Sequence, residues 1–462
     1  MDKPIVIIGG DAAGMSAASK IKRAWPATEV IVFERGPHIS YSACGMPYWI
    51  AGVVESDRQL IVLTPEKARD RRGIDVRIGH TVTAIDPAAK TVTVQRTETG
   101  ETFSQPYTKL VIATGAAATR PPIPGLDLPG VFTLRSLSDG QQIFDYLAQH
   151  NPQRAVIIGG GYISMEMAEA LRERKLAVTI VELLPQILSN FDEEMVAEVA
   201  THLAEQQVQV YTHTQVKALE QAATGLVVTM EQTNGEQNQL TADLVLVSTG
   251  VRPNTELAKA AGLKLGETRA IWVDKHMQTS APDIYAAGDC VEHYHLVLEQ
   301  NAWIPLATSA NKGGRIAGEN IVGEATELPG ILGTAIVKVF DYTLAVTGLT
   351  ESQAKASGKF GPTGEDVGSA VITNNDKAGY WPGVAKLKVK LVFEKSSGRV
   401  LGGQLVGKAG VNKRIDIIAT AITARMTLHQ VALLDLSYAP PYSPTWDPIQ
   451  VCANVALRGA EG

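Results

Sequence analysis

Two stretches of the chain repeat one pattern of apolar and polar positions. In the first, the apolar run Ile5-Val6-Ile7-Ile8 leads into a glycine turn, a helix-length segment and a second strand ending at Glu34. The same order returns between Ala155 and Glu182. Short apolar runs bounded by glycine mark buried strands, and a helix-length stretch between two of them predicts a parallel βαβ crossover. A third signal, Ser280-Ala281-Pro282-Asp283-Ile284-Tyr285-Ala286-Ala287-Gly288-Asp289, lies well beyond the second repeat. This order predicts one nucleotide-type unit inserted in another, the outer one completed by the returning chain. The run Arg120-Pro121-Pro122-Ile123-Pro124-Gly125 reads as a connection, because proline cannot donate ladder or helix hydrogen bonds.

From about Gly330 the texture changes. Alternation in Lys386-Leu387-Lys388-Val389-Lys390-Leu391-Val392-Phe393 predicts a half-exposed antiparallel strand, and Asp416 to Met426 reads as helical. The C-terminal part is therefore expected to be a separate α+β unit. Its tail from Tyr438 to Asp447, rich in proline and tyrosine, predicts a loop. With 462 residues the chain is long enough for two or three domains, and the formal charge of -6 disfavours a nucleic-acid partner. No run of about 18 apolar residues occurs, so no membrane span is expected. The three cysteines are too few and scattered for a disulfide framework, and no basic leader precedes the first strand. A cytoplasmic protein is the expectation.

The first turn, Gly9-Gly10-Asp11-Ala12-Ala13-Gly14, places backbone N–H groups and a helix N-terminus where a pyrophosphate could sit. Gly9 and Gly14 fit the G-x-G-x-x-G frame, but Asp11 occupies the middle glycine slot, so its side chain is expected to turn away from phosphates. Glu34 supplies the acceptor for a ribose 2′-hydroxyl. The second turn, Gly159-Gly160-Gly161-Tyr162-Ile163-Ser164, is followed by Glu182, with Leu183, Leu184 and Pro185 after it. A carboxylate without a neighbouring arginine favours NADH over NADPH. Two such sites in one chain suggest electron relay between two bound cofactors.

Cys44 follows the first turn in Ser40-Tyr41-Ser42-Ala43-Cys44-Gly45-Met46-Pro47-Tyr48. The slot five residues on, where dithiol enzymes place a resolving cysteine, holds Trp49. A single thiol just past a dinucleotide-type turn points to sulfur redox chemistry. Cys290 and Cys452 read as packing residues. His293 and His295 lack a carboxylate or thiol at ligand spacing, so no metal is expected.

With these residues in view, the chain resembles the flavin-dependent pyridine nucleotide–disulfide oxidoreductases over nearly its whole length. Ala113-Thr114-Gly115, Thr249-Gly250-Val251-Arg252-Pro253-Asn254 and Gly288-Asp289 carry the resemblance further. It implies two Rossmann-like, glutathione-reductase-type domains plus an α+β dimerisation domain. Residues 1–118 and 253–328 would bind FAD, 119–252 NAD(P)H, and 329–462 would dimerise. Expected cofactor contacts are Gly9, Gly10, Ala12, Ala13, Gly14, Glu34, Arg35, Val82, Ala113, Thr114, Gly115, Arg120, Gly288, Asp289 and Ala307 for FAD. Gly159, Gly161, Tyr162, Ile163, Glu182 and Gly250 are expected to serve the pyridine nucleotide. The helix after Pro305 would point its positive end at the flavin.

The one-cysteine branch, coenzyme A-disulfide and persulfide reductases, matches best. Tyr438-Ala439-Pro440-Pro441-Tyr442-Ser443 is similar to its C-terminal signature, and Tyr380-Trp381-Pro382-Gly383 to its Tyr-Tyr-Pro-Gly segment. The resemblance implies a homodimer in which Tyr380 and Tyr438 reach the partner's cysteine. Lys20, Arg23 and Ser40 stand at substrate-contacting positions. Ala43 replaces an asparagine, and Trp446 a basic residue, that contact coenzyme A in that branch. The expected reaction is NAD(P)H-dependent reduction of a small disulfide or persulfide through Cys44. The alternative, an NADH oxidase or peroxidase working through Cys44 sulfenic acid, is disfavoured by Ala12, where relatives of that type carry histidine. A flavin-bearing redox sensor with little turnover is the third reading.

Overall fold

In the computed structural model, which describes residues 3–460, Ile5–Ile8 is the central strand of a five-stranded parallel sheet. Val30–Phe33 and then Asp75–Arg77 lie on one side, and Leu110–Ile112 and then Ile284–Ala286 on the other. Every residue of Ile5–Ile8 and Val30–Phe33 is buried, which explains the unbroken apolar runs: helices cover both faces of a parallel sheet. The edge strand Ile284–Ala286 comes from far along the chain. Helices Ala12–Ala24 and Ala307–Ile321 pack at close range. A Cβ on Gly314 would lie 2.1 Å from the Ala13 carbonyl oxygen, so only glycine permits that approach.

A second five-stranded parallel sheet runs Val208–Tyr211, Ala177–Val181, Arg154–Ile158, Leu244–Val247, Val131–Phe132. The connecting segments between the two nucleotide units pair with each other as a two-stranded antiparallel ribbon, Ala116–Ala118 with Val251–Pro253. The Arg120–Gly125 run follows that ribbon without helix or strand of its own.

The C-terminal sheet is antiparallel, in the order Ala335–Val339, Tyr342–Gly348, Val400–Gly407, Lys386–Glu394, Val367–Asn375. The expectation that Lys386–Phe393 is half-exposed is corrected: residues 389–393 are all buried. Leu387, Val389 and Leu391 face the domain core, and the polar face is covered by the Glu193–Glu205 helix of the second unit. Lys390 is 1 % exposed and its ammonium meets Asp192 at 2.9 Å, Glu194 at 2.5 Å and Glu351 at 2.8 Å. The helix expected near 416–426 spans Val411–Thr423. The tail from 438 to 447 is loop, as its prolines require.

Candidate active site

The two glycine turns are built alike. Gly9 has φ +104° and Gly159 φ +108°, and a Cβ on either would meet the carbonyl oxygen of Ala113 or Ser248 at 2.2 or 2.3 Å. Gly14 is equally constrained, because its Cβ would sit 1.9 Å from the Gly9 carbonyl oxygen. Glu34 accepts from the N–H of Gly10 at 2.8 Å and of Gly36 at 2.7 Å. Glu182 accepts from Gly160 at 2.5 Å and from Leu184 at 2.7 Å. Each carboxylate is thus held at the end of its strand and retains lone pairs for a ribose hydroxyl.

Three helix N-termini meet the requirements of anionic ligands. Helices Ala12–Ala24, Tyr162–Glu173 and Ala307–Ile321 begin after Asp11, Gly161 and Leu306, and none of these residues supplies a side-chain cap. Their first N–H groups are left for another acceptor. Asp11 turns aside as expected: its Oδ1 accepts from the Tyr41 N–H at 3.3 Å. Burial pushes its carboxyl up to about 6, against the pull of Tyr41 N–H and Arg135, which lessens its repulsion of a pyrophosphate. Ala12, Ala13, Ala113, Ala287 and Ala310 cluster beside the first turn and bring no large side chain to it. These features fit FAD at the first turn and a pyridine nucleotide at the second.

The remaining expected contacts divide. Thr114 and Gly115 are tied to Asn254, with Thr114 Oγ1 donating to its carbonyl at 2.7 Å. Asp289 accepts from Arg135 at 2.6 Å, and among the described residues its other oxygen has no hydrogen-bond donor. Gly288 (φ +91°) brings the chain to Ala13. Gly161, Gly250 and Ala307 are exposed, Ile163 is half-buried, and the Tyr162 hydroxyl is bonded to Asn190. Val82 packs on the first core, Arg35 is exposed, and Arg120 is engaged by the Leu126 carbonyl and Asp127.

Cys44 lies in a 3₁₀ turn, Ala43–Gly45, that runs straight into the short helix Met46–Ala51. It is exposed, whereas Cys290 and Cys452 are wholly buried. Trp49 is 4 % exposed and stacks on Phe144 with ring centroids 4.7 Å apart, so the slot for a resolving thiol is a packing position. The short helix is clasped by the second unit: Arg174 Nε donates to the Ile50 carbonyl at 2.6 Å, and the Tyr48 hydroxyl donates to Glu166 Oε1 at 3.4 Å. Although Cys44 keeps solvent access, packing around the sulfur pushes the thiol up, and Glu166 adds to the shift. Arg135 opposes it, while Asp289 and Asp11 push upward again.

Tyr380 and Tyr438 do not meet Cys44 within the chain; they are 76 % and 50 % exposed. The loops that bear them are joined by fully buried Arg414. Its guanidinium donates to Asp447 at 3.0 and 3.1 Å, to the Asp376 carbonyl at 2.9 Å and to Ser443 at 3.4 Å. Trp446 projects from the same surface, 57 % exposed. Lys20 is held by Glu319 and Glu324, Arg23 is exposed, and Ser40 has φ +44° in the loop that leads to Cys44.

Residues 3–314 match the sequence profile of the pyridine nucleotide-disulphide oxidoreductases, and residues 334–448 match the profile of their dimerisation domain. The chain belongs to this family. FAD and NAD(P)H are the family's cofactors. A CoA-dependent NAD(P)H sulfur oxidoreductase of Pyrococcus furiosus is 40% identical, the match covering 98% of this chain and 99% of that protein. A coenzyme A disulfide reductase of Staphylococcus aureus is 32% identical over 97% of this chain and 98% of its own. The solved structure of an NAD-dependent persulfide reductase from A. fulgidus superposes with a TM-score of 0.94 at 41% identity, covering 99% of this chain and 84% of that one. Among the described residues no helix is long and apolar enough to cross a membrane.

Three residues that surround the candidate site escaped sequence reasoning. Arg135 is the cation that faces Asp289, Asp11 and Cys44, and its only local signal is its place just before the Ser136 capping box. Glu166, one turn beyond Tyr162, and Tyr48, one turn beyond Cys44, look like ordinary helix positions until the two units are docked.

Proposed function

We propose that the protein reduces a low-molecular-weight disulfide or persulfide of the coenzyme A type with NADH, through Cys44 as its single working sulfur. The observation that carries this reading is the exposed Cys44 at the junction of both nucleotide units, with Trp49 filling the resolving slot. The similarity to sulfur and coenzyme A disulfide reductases over nearly the whole chain supports it.

FAD, when bound, supplies two-electron transfer between the pyridine nucleotide and sulfur. The first glycine turn with Glu34, the Thr114–Gly115 loop, Asp289 and the Ala307 helix end would hold it. Gly159, Gly161 and Glu182 would hold NADH. The Cys44 thiolate attacks the R–S–S–R′ bond, forms a Cys44–S–S–R mixed disulfide and releases R′S⁻, which takes a proton. Two electrons then cleave the mixed disulfide, returning the Cys44 thiolate and RSH. The sum is NADH + H⁺ + RSSR′ → NAD⁺ + RSH + R′SH. In a homodimer the partner's copies of the two exposed tyrosine loops would approach this sulfur, their hydroxyls donating to the departing thiolate. Lys20, Arg23 and Ser40 would line the approach of the substrate.

The test is anaerobic NADH consumption with coenzyme A disulfide, coenzyme A persulfide and glutathione disulfide, set against consumption in air without them. Turnover on a coenzyme A sulfur substrate well above the rate in air is expected. Rapid oxygen use with no disulfide turnover would overturn the reading in favour of an oxidase. Nucleotide preference has its own test. Removing the 2′-hydroxyl acceptor by Glu182→Ala should lower kcat/KM for NADH about tenfold or more, because a hydrogen bond to a charged group is lost. NADPH should gain relative to NADH, since the repelling charge is gone; an unchanged ratio would refute the assignment.

A further inference from the structure

The segment that carries Cys44 belongs by sequence to the first unit but is packed into the second. Its two ends close on each other at the first unit, where Tyr41 pairs with Ile61 and the Ser42 N–H donates to the Leu60 carbonyl at 2.8 Å. The Ser40 N–H donates to the Gly10 carbonyl of the first glycine turn at 3.0 Å, and Ile39 and Leu63, on either side, lie in the core around the first sheet. Between those ends the packing changes partner. Met46, Trp49 and Ile50 are buried in the core of the second unit, in one cluster with Ile143, Leu171 and Leu176. Cys44 stands between the two attachments, with Ser40 at the glycine turn on one side and Met46 in the second unit on the other.

Trp49 is the centre of the second attachment. Its ring lies flat on Phe144 of the Leu137–His150 helix, with centroids 4.7 Å apart and 11° between the planes. A Cβ on Gly140, one turn before Phe144, would stand 3.3 Å from the Trp49 ring and 3.2 Å from the Met46 sulfur, so the two helices touch closely. Arg174 closes the far side: its guanidinium lies 5.4 Å from the Phe144 centroid and donates to the Ile50 carbonyl. A helix as short as Met46–Ala51 has too few internal hydrogen bonds to hold its own shape, so these contacts fix it. We propose that Trp49, in the slot where a dithiol enzyme keeps its second sulfur, is the positioning residue for Cys44. Through its stack on Phe144, the second unit holds the sulfur at the first glycine turn. This inference rests on the disulfide reductase reading and deepens it.

This attachment bears on one half of the reaction and not the other. The two glycine turns are set relative to each other by contacts that do not involve Trp49. These are the ribbon of Ala116–Ala118 with Val251–Pro253 and the Arg135–Asp289 ion pair at 2.6 Å. Loosening the stack therefore leaves hydride passage from NADH to flavin in place, while the short helix and the sulfur at its head are freed to move. Exchange between sulfur atoms needs them held in line, and small displacements are costly in rate. Trp49 is also a core residue, so its loss changes stability as well as position. Phe144 is half-buried, lies far from Cys44 in sequence and holds it only through the stack, so it separates the two effects.

The experiment measures the two half-reactions separately, by anaerobic stopped flow on flavin-loaded protein. One is bleaching of the flavin by NADH; the other is recovery of its colour when the reduced protein meets coenzyme A disulfide. Phe144→Leu is expected to slow recovery about tenfold while bleaching stays within about twofold of wild type. Trp49→Leu should show the same split, and Trp49→Phe, which keeps a ring to stack, should stay near wild type. The double variant Trp49→Leu/Phe144→Leu should lose no more than Trp49→Leu alone, because both remove one contact. Should Trp49→Leu fail to hold flavin, the Phe144→Leu result decides alone. A second readout needs no turnover: amide hydrogen exchange in the peptide spanning 42–53 should speed in Phe144→Leu, while the first glycine turn keeps its wild-type rate. Equal slowing of both half-reactions in Phe144→Leu, slowing of neither, additive losses in the double variant, or a Trp49→Phe variant as slow as Trp49→Leu overturns the proposal. The parent reading fails separately. If no disulfide recolours the reduced wild type, the reductase function is sunk, and exchange in the 42–53 peptide still decides whether the stack holds the segment that bears the sulfur.

Discussion

Cys44→Ser is expected to abolish NADH-driven disulfide reduction, by at least about a thousandfold, while the purified protein keeps its flavin. A hydroxyl at this site has no accessible anion near neutral pH and cannot form a mixed disulfide that two electrons would cleave. Neither of the other thiols can substitute. Cys290 is packed beneath the Leu110–Ile112 strand, its Sγ 3.7 Å from the Ile112 carbonyl oxygen, and Cys452 is buried in the C-terminal core. Flavin retention follows from the same geometry: Cys44 is exposed, and the glycine turn, Glu34 and Asp289 do not depend on its side chain. The measurement is the visible flavin spectrum together with anaerobic turnover on coenzyme A disulfide. A serine variant that still reduces disulfides would remove the chemical role of this sulfur.

Lys390→Met is expected to destabilise the fold by about 3–5 kcal/mol, because breaking a buried charge network leaves its partners uncompensated. The lysine is enclosed between the C-terminal sheet and the Glu193–Glu205 helix, with Asp192, Glu194 and Glu351 around its ammonium. Desolvation there disfavours the charged lysine, yet the three carboxylates overcome it and hold its pKa above the ordinary lysine range. Burial alone would raise Asp192; hydrogen bonds from Ser352, Lys390, the Glu351 N–H and Gln404 outweigh it and bring it to about 2. Glu351, also pushed up by burial, is brought to about 2 by Lys355, Lys390 and Ser369.

Both carboxyls therefore have folded-state values below their unfolded ones of 3.8 and 4.5. Their stabilisation is complete above about pH 5 and is lost as pH falls toward 2. The gap between wild type and Lys390→Met should be largest near neutrality and narrow on acidification. Thermal unfolding midpoints between pH 3 and 7 check this. A gap that does not change with pH would show that the methionine acts through packing alone. The acidic trio has the spacing of a cation site, but the lysine ammonium already occupies its centre.

Much of this protein was legible in local pattern. The two strand-turn-helix repeats, the glutamates that close them, the cysteine just past the first turn and the loop character of the tail are read from contiguous residues and from where only glycine or proline can stand. What stayed hidden depends on residues far apart in sequence. The Lys386–Phe393 alternation looked half-exposed because nothing local reveals that a helix from near residue 200 covers its polar face. Arg414 carries no local signal of its place, yet it is fully buried and ties the two tyrosine loops together. The sequence by itself determined the fold class and the glycine turns and singled out the sulfur proposed to work, because each is written in contiguous residues. Only the tertiary structure decided which charges surround that sulfur and where they pull it. Arg135, Asp289 and Glu166 come to Cys44 from three separate elements, and electrostatic energy depends on distance in space, which spacing along the chain does not encode.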